Sequence, residues 1–410
     1  MQHNKREIWA ARIDAFCAVA AGLVPLGLVV GNVGFEAVIA LVGFLWMVRS
    51  FLARSNPIPR LIKHPLIIPW LAWLGSVVIS LLWNGPGGKG WGHDVALVRY
   101  FLYVAAVFDI SRRRAVFKYL LMGLGAGIVW GLANTLLAYA IGYDLFGRPL
   151  IRYSYKIKDA GRIASLAAYA GPFFLAWGSL GKNLKPLNRT AVLTVGIIAM
   201  VQIFHIHIRT VEAAAVAGIF VYLVYIAKRY GGRIVMGVTI GVSGLLIWLF
   251  VQFGPQVDFW SLYDRMGYWK VVWAMWREHP IVGVAVSAWQ DVYKEMAVSD
   301  TIAPFVSPDG RIWKAVDVTH AHNLVLHILS CTGILGLASF GWLFVNAVRL
   351  VVRRLDLCGH ALLTWPVVFL VIGLTGWNIY GAQYQTVFAF FIGLTGVSLT
   401  QDMQPENNFG

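Results

Sequence analysis

Charge is what this chain has least of. Only 13% of its 410 residues are charged, against 59% that are hydrophobic. A soluble domain of this length cannot cover its surface with so few charges, so the soluble globular class is excluded. Acids are scarcer still, at 19 against 34 lysines and arginines. Cysteine is nearly absent. Cys17, Cys331 and Cys358 have no paired or ligand-like spacing, so they imply no disulfide framework and read as small apolar residues. The sequence also lacks Asp-x-Asp, Cys-x-x-Cys, His-Glu-x-x-His and a P-loop glycine run. Its chemistry therefore calls for no metal, nucleotide or other cofactor. No internal repeat, low-complexity tract or hydrophilic domain interrupts it.

Long apolar runs fill the space instead, and the mean hydropathy is +0.68. A bilayer core takes roughly 20 apolar residues per helix. That ruler gives about twelve spans, near 13–30, 32–52, 65–84, 95–110, 119–141, 163–180, 190–207, 210–227, 234–252, 322–348, 361–378 and 383–400. The fourth is short and carries Arg99 near its start. The first is followed by another run without a small-residue cleavage site, so it reads as a span and not a signal peptide. The 18 tryptophans and 16 tyrosines suit rings that favour the headgroup level. The expected fold is all-α and polytopic, one transmembrane domain over residues 1–410.

With both termini in the cytoplasm, twenty of the 34 lysines and arginines fall in six cytoplasmic segments, as the positive-inside rule requires. The net charge of +15 is then a topology signal and does not argue for nucleic-acid binding, despite a pI near 9.8. Two outer loops are long, residues 143–162 and residues 253–321. Long loops in compact proteins tend to carry function.

The first outer loop holds Arg148, Arg152, Lys156, Lys158 and Arg162 against Asp144 and Asp159. Cations on the outer face suit either an anion site or attraction to lipid headgroups. Arg162, beside the next span, is the best placed of them. Arg209 sits in a hairpin so short that it must lie at the interface. It faces a cavity or pairs with Glu212 at i, i+3. His205 and His207 point to different helix faces and read as structural. In the second loop, residues 263–279 read as a surface helix with an apolar stripe of Met266, Trp269, Val272, Trp273 and Trp276. Arg265, Lys270 and Arg277 lie off that stripe. Pro280 ends this helix, and Gly283 loosens the chain beyond it.

Thr319 is the expected N-cap of a helix that includes His322 in its first turn. The positive end of the helix dipole disfavours imidazolium there and attracts phosphate. A neutral histidine beside cations is what deprotonating an alcohol near a pyrophosphate requires. The bland alternative is a histidine bonded to a loop carbonyl. His320 is a second candidate, whereas His327 reads as core. Gly333 and Gly336 read as close helix–helix packing.

These residues resemble the bacterial O-antigen ligases, within the wider group of O-antigen polymerases and protein O-oligosaccharyltransferases. The motif is His followed by Asn, Ser or Gln, nine residues and Gly-x-x-Gly, matched by His322, Asn323, Gly333 and Gly336. An arginine opening an outer-to-inner span is matched by Arg209. An arginine-led tryptophan helix running into His-Pro and a glycine turn is matched by Arg265, Trp269, Trp273, His279, Pro280 and Gly283. Two positions depart. Ile208 stands where the family often has serine, and Ala285 where it often has a second glycine.

The resemblance implies a fold like that of the GT-C glycosyltransferases, with a short helical periplasmic cap, in the bacterial inner membrane. It implies glycan transfer from undecaprenyl pyrophosphate to the lipid A–core oligosaccharide on the periplasmic face. His322 would be the base. Arg209 and Arg265 would bind pyrophosphate, with Arg162 a weaker third, and Asn323, Trp269 and His320 would support them. The partners are these two glycolipids and the surrounding membrane lipids, with no nucleic acid. The nearest rivals are a polymerase of the same lipid-linked glycan and a ligase that delivers it to protein. A transporter of anionic lipids would need charges buried in mid-span and broken helices, and few ionisable residues fall there.

Overall fold

A computed structural model describes residues 2–147, 160–180, 184–206, 208–230, 237, 259–299, 305–306, 310, 312–313, 318–353, 357–376 and 378–401. In chain order the helices are α1 (Gln2–Gly22), α2 (Val24–Val30), α3 (Asn32–Leu52), α4 (Ile58–Leu61), α5 (Ile67–Asn84), α6 (Trp91–Val95), α7 (Val98–Ser111), α8 (Val116–Ile141) and α9 (Ala160–Leu180). They continue as α10 (Pro186–Ile206), α11 (Arg209–Tyr230), α12 (Phe259–Glu278) and α13 (Trp289–Val298). A small antiparallel pair comes next, β1 (Phe305–Val306) and β2 (Ile312–Trp313), with Phe305 opposite Trp313. The chain then forms α14 (Leu324–Arg353), α15 (Leu357–Leu362), α16 (Thr364–Thr375) and α17 (Ala382–Gln401).

Five described helices are long and apolar enough to cross a bilayer: residues 33–52 of α3, then α5, α8, α10 and α14. The pair α1–α2, bent by 46°, makes a sixth if counted as one span. The protein is thus a helical, polytopic membrane protein, but the expected total of twelve is not established. The expected ninth span, residues 234–252, lies almost wholly outside the described residues. Others fall short for a physical reason. Helices α7, α9 and α17 stand where spans four, six and twelve are expected, and each is almost entirely enclosed by neighbours. Helix α7 is too short at 14 residues, whereas α9 and α17 carry many Gly, Ala, Ser and Thr residues, which allow close approach at the expense of hydropathy.

The expected outer loop over residues 253–321 is more structured than its composition suggests. It contains α12, α13 and the β pair. The surface helix begins slightly earlier than expected and ends at Glu278. Its anticipated single apolar stripe divides between two faces. Val271, Val272 and Met275 are buried, while Met266 and Trp273 are exposed. One side packs on α14 and the other looks outward, so apolar residues line both.

Charge concentrates at the end of the bundle opposite the Leu324 terminus of α14. Asp14 of α1 accepts from Arg49 of α3 at 3.1 Å and from Arg113 at 2.9 Å. Arg113 also reaches Asp109 of α7 at 2.8 Å, and the Trp46 indole donates to the same carboxylate at 3.0 Å. Both aspartates are almost fully buried. Buried charges are tolerated only when paired, and removing one partner leaves the other stranded. Asp109→Ala is therefore expected to destabilise the protein by about 3–5 kcal/mol, seen as a lower Tm in detergent; an unchanged Tm would show the network to be dispensable.

Candidate active site

The site rests on an exchange of backbone hydrogen bonds. Gly333 breaks α14 with φ +64°. In an unbroken helix the carbonyls of Ser330 and Cys331 would accept from Ile334 and Leu335. Here the turn after α12 inserts itself instead. Val284 N–H donates to Ser330 O at 2.9 Å and Ala285 N–H to Cys331 O at 3.0 Å. In return Ile334 N–H donates to Pro280 O at 3.0 Å and Leu335 N–H to Ile281 O at 3.3 Å. Ser80 and Asn84 of α5 complete the junction, the first donating to Cys331 O and the second to Gly283 O, both at 2.9 Å. Each of these freed groups finds a new partner, which is the condition for irregular backbone within a membrane protein.

This corrects the reading of the Gly-x-x-Gly pair as a helix–helix contact. A Cβ on Gly333 would collide with the Ile281 carbonyl, and one on Gly283 (φ +66°) with the backbone of Cys331 and Thr332. Gly336 instead leaves room for the Thr332 side chain, whose hydroxyl bonds Tyr380 Oη at 2.8 Å. Ala285, where the family often has glycine, also has positive φ, +70°. The turn keeps the glycine conformation without the glycine.

Beyond this junction, α14 begins at Leu324, two residues later than expected. Asn323 supplies the cap, its Oδ1 accepting from Leu326 N–H at 3.0 Å. Its Nδ2 donates to Leu374 O of α16 at 3.3 Å. Thr319 is not the cap: its hydroxyl bonds His320 Nδ1 at 3.0 Å. His322 stands just outside the helix with φ +50°, a conformation that histidine adopts more readily than most residues. Trp269 fixes the preceding residue by donating to Ala321 O at 3.0 Å. The His322 ring lies 4.0 Å from that of His320 and 5.8 Å from Tyr268, centroid to centroid.

Burial, and secondarily the positive charge of Arg265 on α12, push the His322 pKa down from 6.5. The imidazole is therefore neutral at pH 7. His320 is lowered further, to about 4, by burial first and then by His322. The Gly376 backbone offsets part of this, although Nε2 closes no hydrogen bond. His327, one turn into α14, is buried and bonded through Nε2 to Asn378 Oδ1 at 2.8 Å. It is core, as expected.

The cations are placed unequally. Arg265 is half-buried and close enough to act on His322. Arg209 is the first residue of α11, and its neighbour Thr210 reaches Gly376, the residue whose backbone faces His320. It belongs to the same region at one remove. Arg162 lies in the first turn of α9, at the same end of the bundle, where its neighbour Ile163 packs at Gly131 of α8. Arg148, Arg152, Lys156, Lys158 and Asp159 lie outside the described residues. Sequence reasoning missed Tyr268, Leu374, Gly376 and Asn378. A lone tyrosine and a helix end carry no motif.

A helical membrane protein with an uncharged histidine and an arginine at one end of its bundle defines a class able to move a proton near an anion. The family model for O-antigen ligase matches residues 187–341, from α10 to within α14. That stretch is similar to the O-antigen ligase family, which supports the resemblance read from the motifs. It contains Arg209, Arg265, His322, Gly333 and Gly336. The family comprises glycosyltransferase-like ligases and polymerases acting on lipid-linked glycans. No curated protein is significantly similar to the chain.

Thermal unfolding in detergent reads the backbone strain at the junction directly. Gly333→Ala should cost more than about 3 kcal/mol, because strain and collision coincide, while Ala285→Gly should gain about 1 kcal/mol by relieving a left-handed alanine. The opposite order would refute the insertion geometry. The paired histidines add a dependence on pH. His320 binds a proton less readily when folded than when unfolded, so its contribution is complete above pH 6.5 and is lost as pH falls towards 4. The Tm should drop across that window, and His320→Gln should make the drop smaller, with His64 supplying part of what remains; an equal drop in the variant would rule out His320 as a source.

Proposed function

We propose that this protein is a metal-independent, inverting glycosyltransferase of the ligase type. It moves a glycan from undecaprenyl pyrophosphate to the lipid A–core oligosaccharide at the periplasmic face of the inner membrane. The neutral imidazole of His322 takes the proton of the acceptor hydroxyl. The hydroxyl oxygen attacks the anomeric carbon of the donor, and the bond from that carbon to the pyrophosphate oxygen breaks. Arg265 and Arg209 bind the departing pyrophosphate and offset its charge, the task a metal ion performs in other transferases. Arg162 is a more distant third. Direct displacement inverts the anomeric centre.

The observation that carries this reading is the pairing of His322 with Arg265. A half-buried imidazole within reach of the Arg265 charge is favoured in its unprotonated form beside a cation, the combination a general base next to a leaving pyrophosphate needs. Asn323 and Trp269 are positioning residues, since they fix the backbone on either side of the base. His320 supports the ring of His322.

The test is transfer by purified protein in nanodiscs. Lipid-linked glycan is the donor, and rough lipopolysaccharide, a serine-containing peptide or a second lipid-linked glycan is the acceptor. His322→Ala should abolish transfer, a loss of at least about 100-fold, with the Tm unchanged. Full activity in that variant would remove the base. Transfer to lipopolysaccharide is the expected outcome, and exclusive transfer to the peptide or the second glycan would overturn the ligase assignment.

A further inference from the structure

The segment Gly85-Pro86-Gly87-Gly88-Lys89-Gly90, between α5 and α6, has no place in the reading above and lies outside the stretch that matches the family. It is nevertheless built against the site. Gly85 and Gly90 have φ +74° and +70°, and Gly90 N–H donates to Gly87 O at 2.8 Å, closing a tight turn. A Cβ on Gly87 would collide with the backbone of Ala288. Gly88 N–H donates to the Asp291 carboxylate at 2.6 Å. On one flank Asn84 bonds Gly283 O; on the other, buried Asp94 accepts from Ser287 Oγ at 2.7 Å. The turn is thus clamped to residues 283–291, which overlap and continue the turn that enters the break in α14. Four glycines in six positions allow the backbone to approach this closely, and the one long side chain among them is a lysine.

Lys89 is exposed, and no carboxylate among the described residues lies within salt-bridge distance of it. Its charge acts on His320, whereas that of Arg265 acts on His322. Each of the two cations thus acts on one of the paired imidazoles. A lysine on a turn clamped next to the site, in no salt bridge among the described residues and with its charge reaching the histidine that neighbours the proposed base, is poised for an anionic ligand group.

We propose that Lys89 is a substrate-binding residue that takes a phosphate or carboxylate group of one of the two glycan substrates. This rests on the reading of His322 as the base. Charge-assisted contacts of this kind are worth about tenfold or more in affinity.

Kinetics of Lys89→Gln and Lys89→Arg in nanodiscs, varying donor and acceptor separately, test it. Lys89→Gln should raise KM for one substrate about tenfold while kcat changes less than about threefold and the Tm stays the same. Lys89→Arg should restore most of the loss. A higher KM for the lipid-linked donor identifies its pyrophosphate as the group bound; a higher KM for the lipopolysaccharide acceptor identifies a core phosphate or carboxylate. Unchanged KM values for both would overturn the proposal and leave Lys89 as a headgroup contact. To separate this from the base assignment, donor and acceptor binding are also measured by titration in His322→Ala with and without Lys89→Gln. Weaker binding in the double variant supports Lys89 whatever His322 does, and equal binding refutes it.

Discussion

The break in α14 at Gly333 is the constraint on which the rest depends. A membrane helix cannot be opened unless each freed backbone group finds another partner. Here a single turn, residues 280–285, supplies both replacement donors and both replacement acceptors. The exchange joins two stretches about fifty residues apart in sequence and leaves α5 to complete the seal. Because α12 leads directly into that turn and His322 directly precedes α14, fixing the junction also fixes Arg265 relative to the histidine. The glycines are therefore structural, and the proposed chemistry lies in the residues they bring together.

The two ends of the bundle use charge differently. At one end Asp14, Asp109, Arg49 and Arg113 satisfy one another in a closed network. At the other, Arg265 and Lys89 form no such closed set among the described residues, and their charge reaches neutral imidazoles. Paired charges hold helices together. Cations left to face neutral histidines suit an anion, and that contrast separates the scaffold from the proposed site.

Much of the architecture is legible in the sequence because composition and hydropathy act over whole segments. Helices occupy the expected positions of α3, α5, α8, α10 and α14. The number of spans is not legible, since enclosed helices such as α9 and α17 exchange hydropathy for small residues. Residues 253–321 hide α13 and the β pair behind a mixed composition. Gly333 misleads because a packing glycine and a helix-breaking glycine look alike without φ. The cap misleads for a similar reason: Thr319 and Asn323 are both good caps, and only the bond to Leu326 N–H decides between them. The pairing of Arg265 with His322 comes from no spacing rule. Only the family resemblance anticipates it, and it depends on the inserted turn. Lys89 belongs to none of the motifs and carries no signal.

All of the proposed chemistry requires an imidazole that stays unprotonated where an anion is expected to bind. Neutral ring and bound anion would otherwise conflict, since a nearby phosphate favours imidazolium; burial and Arg265 act against that. The direct measurement is the titration of the His322 ring by NMR in histidine-labelled protein, assigned by difference from His322→Asn. The expected result is a pKa below 6.5 that rises when Arg265 is replaced by glutamine. A value at or above 6.5 in the native protein, insensitive to Arg265, would contradict the role of His322 as a neutral base.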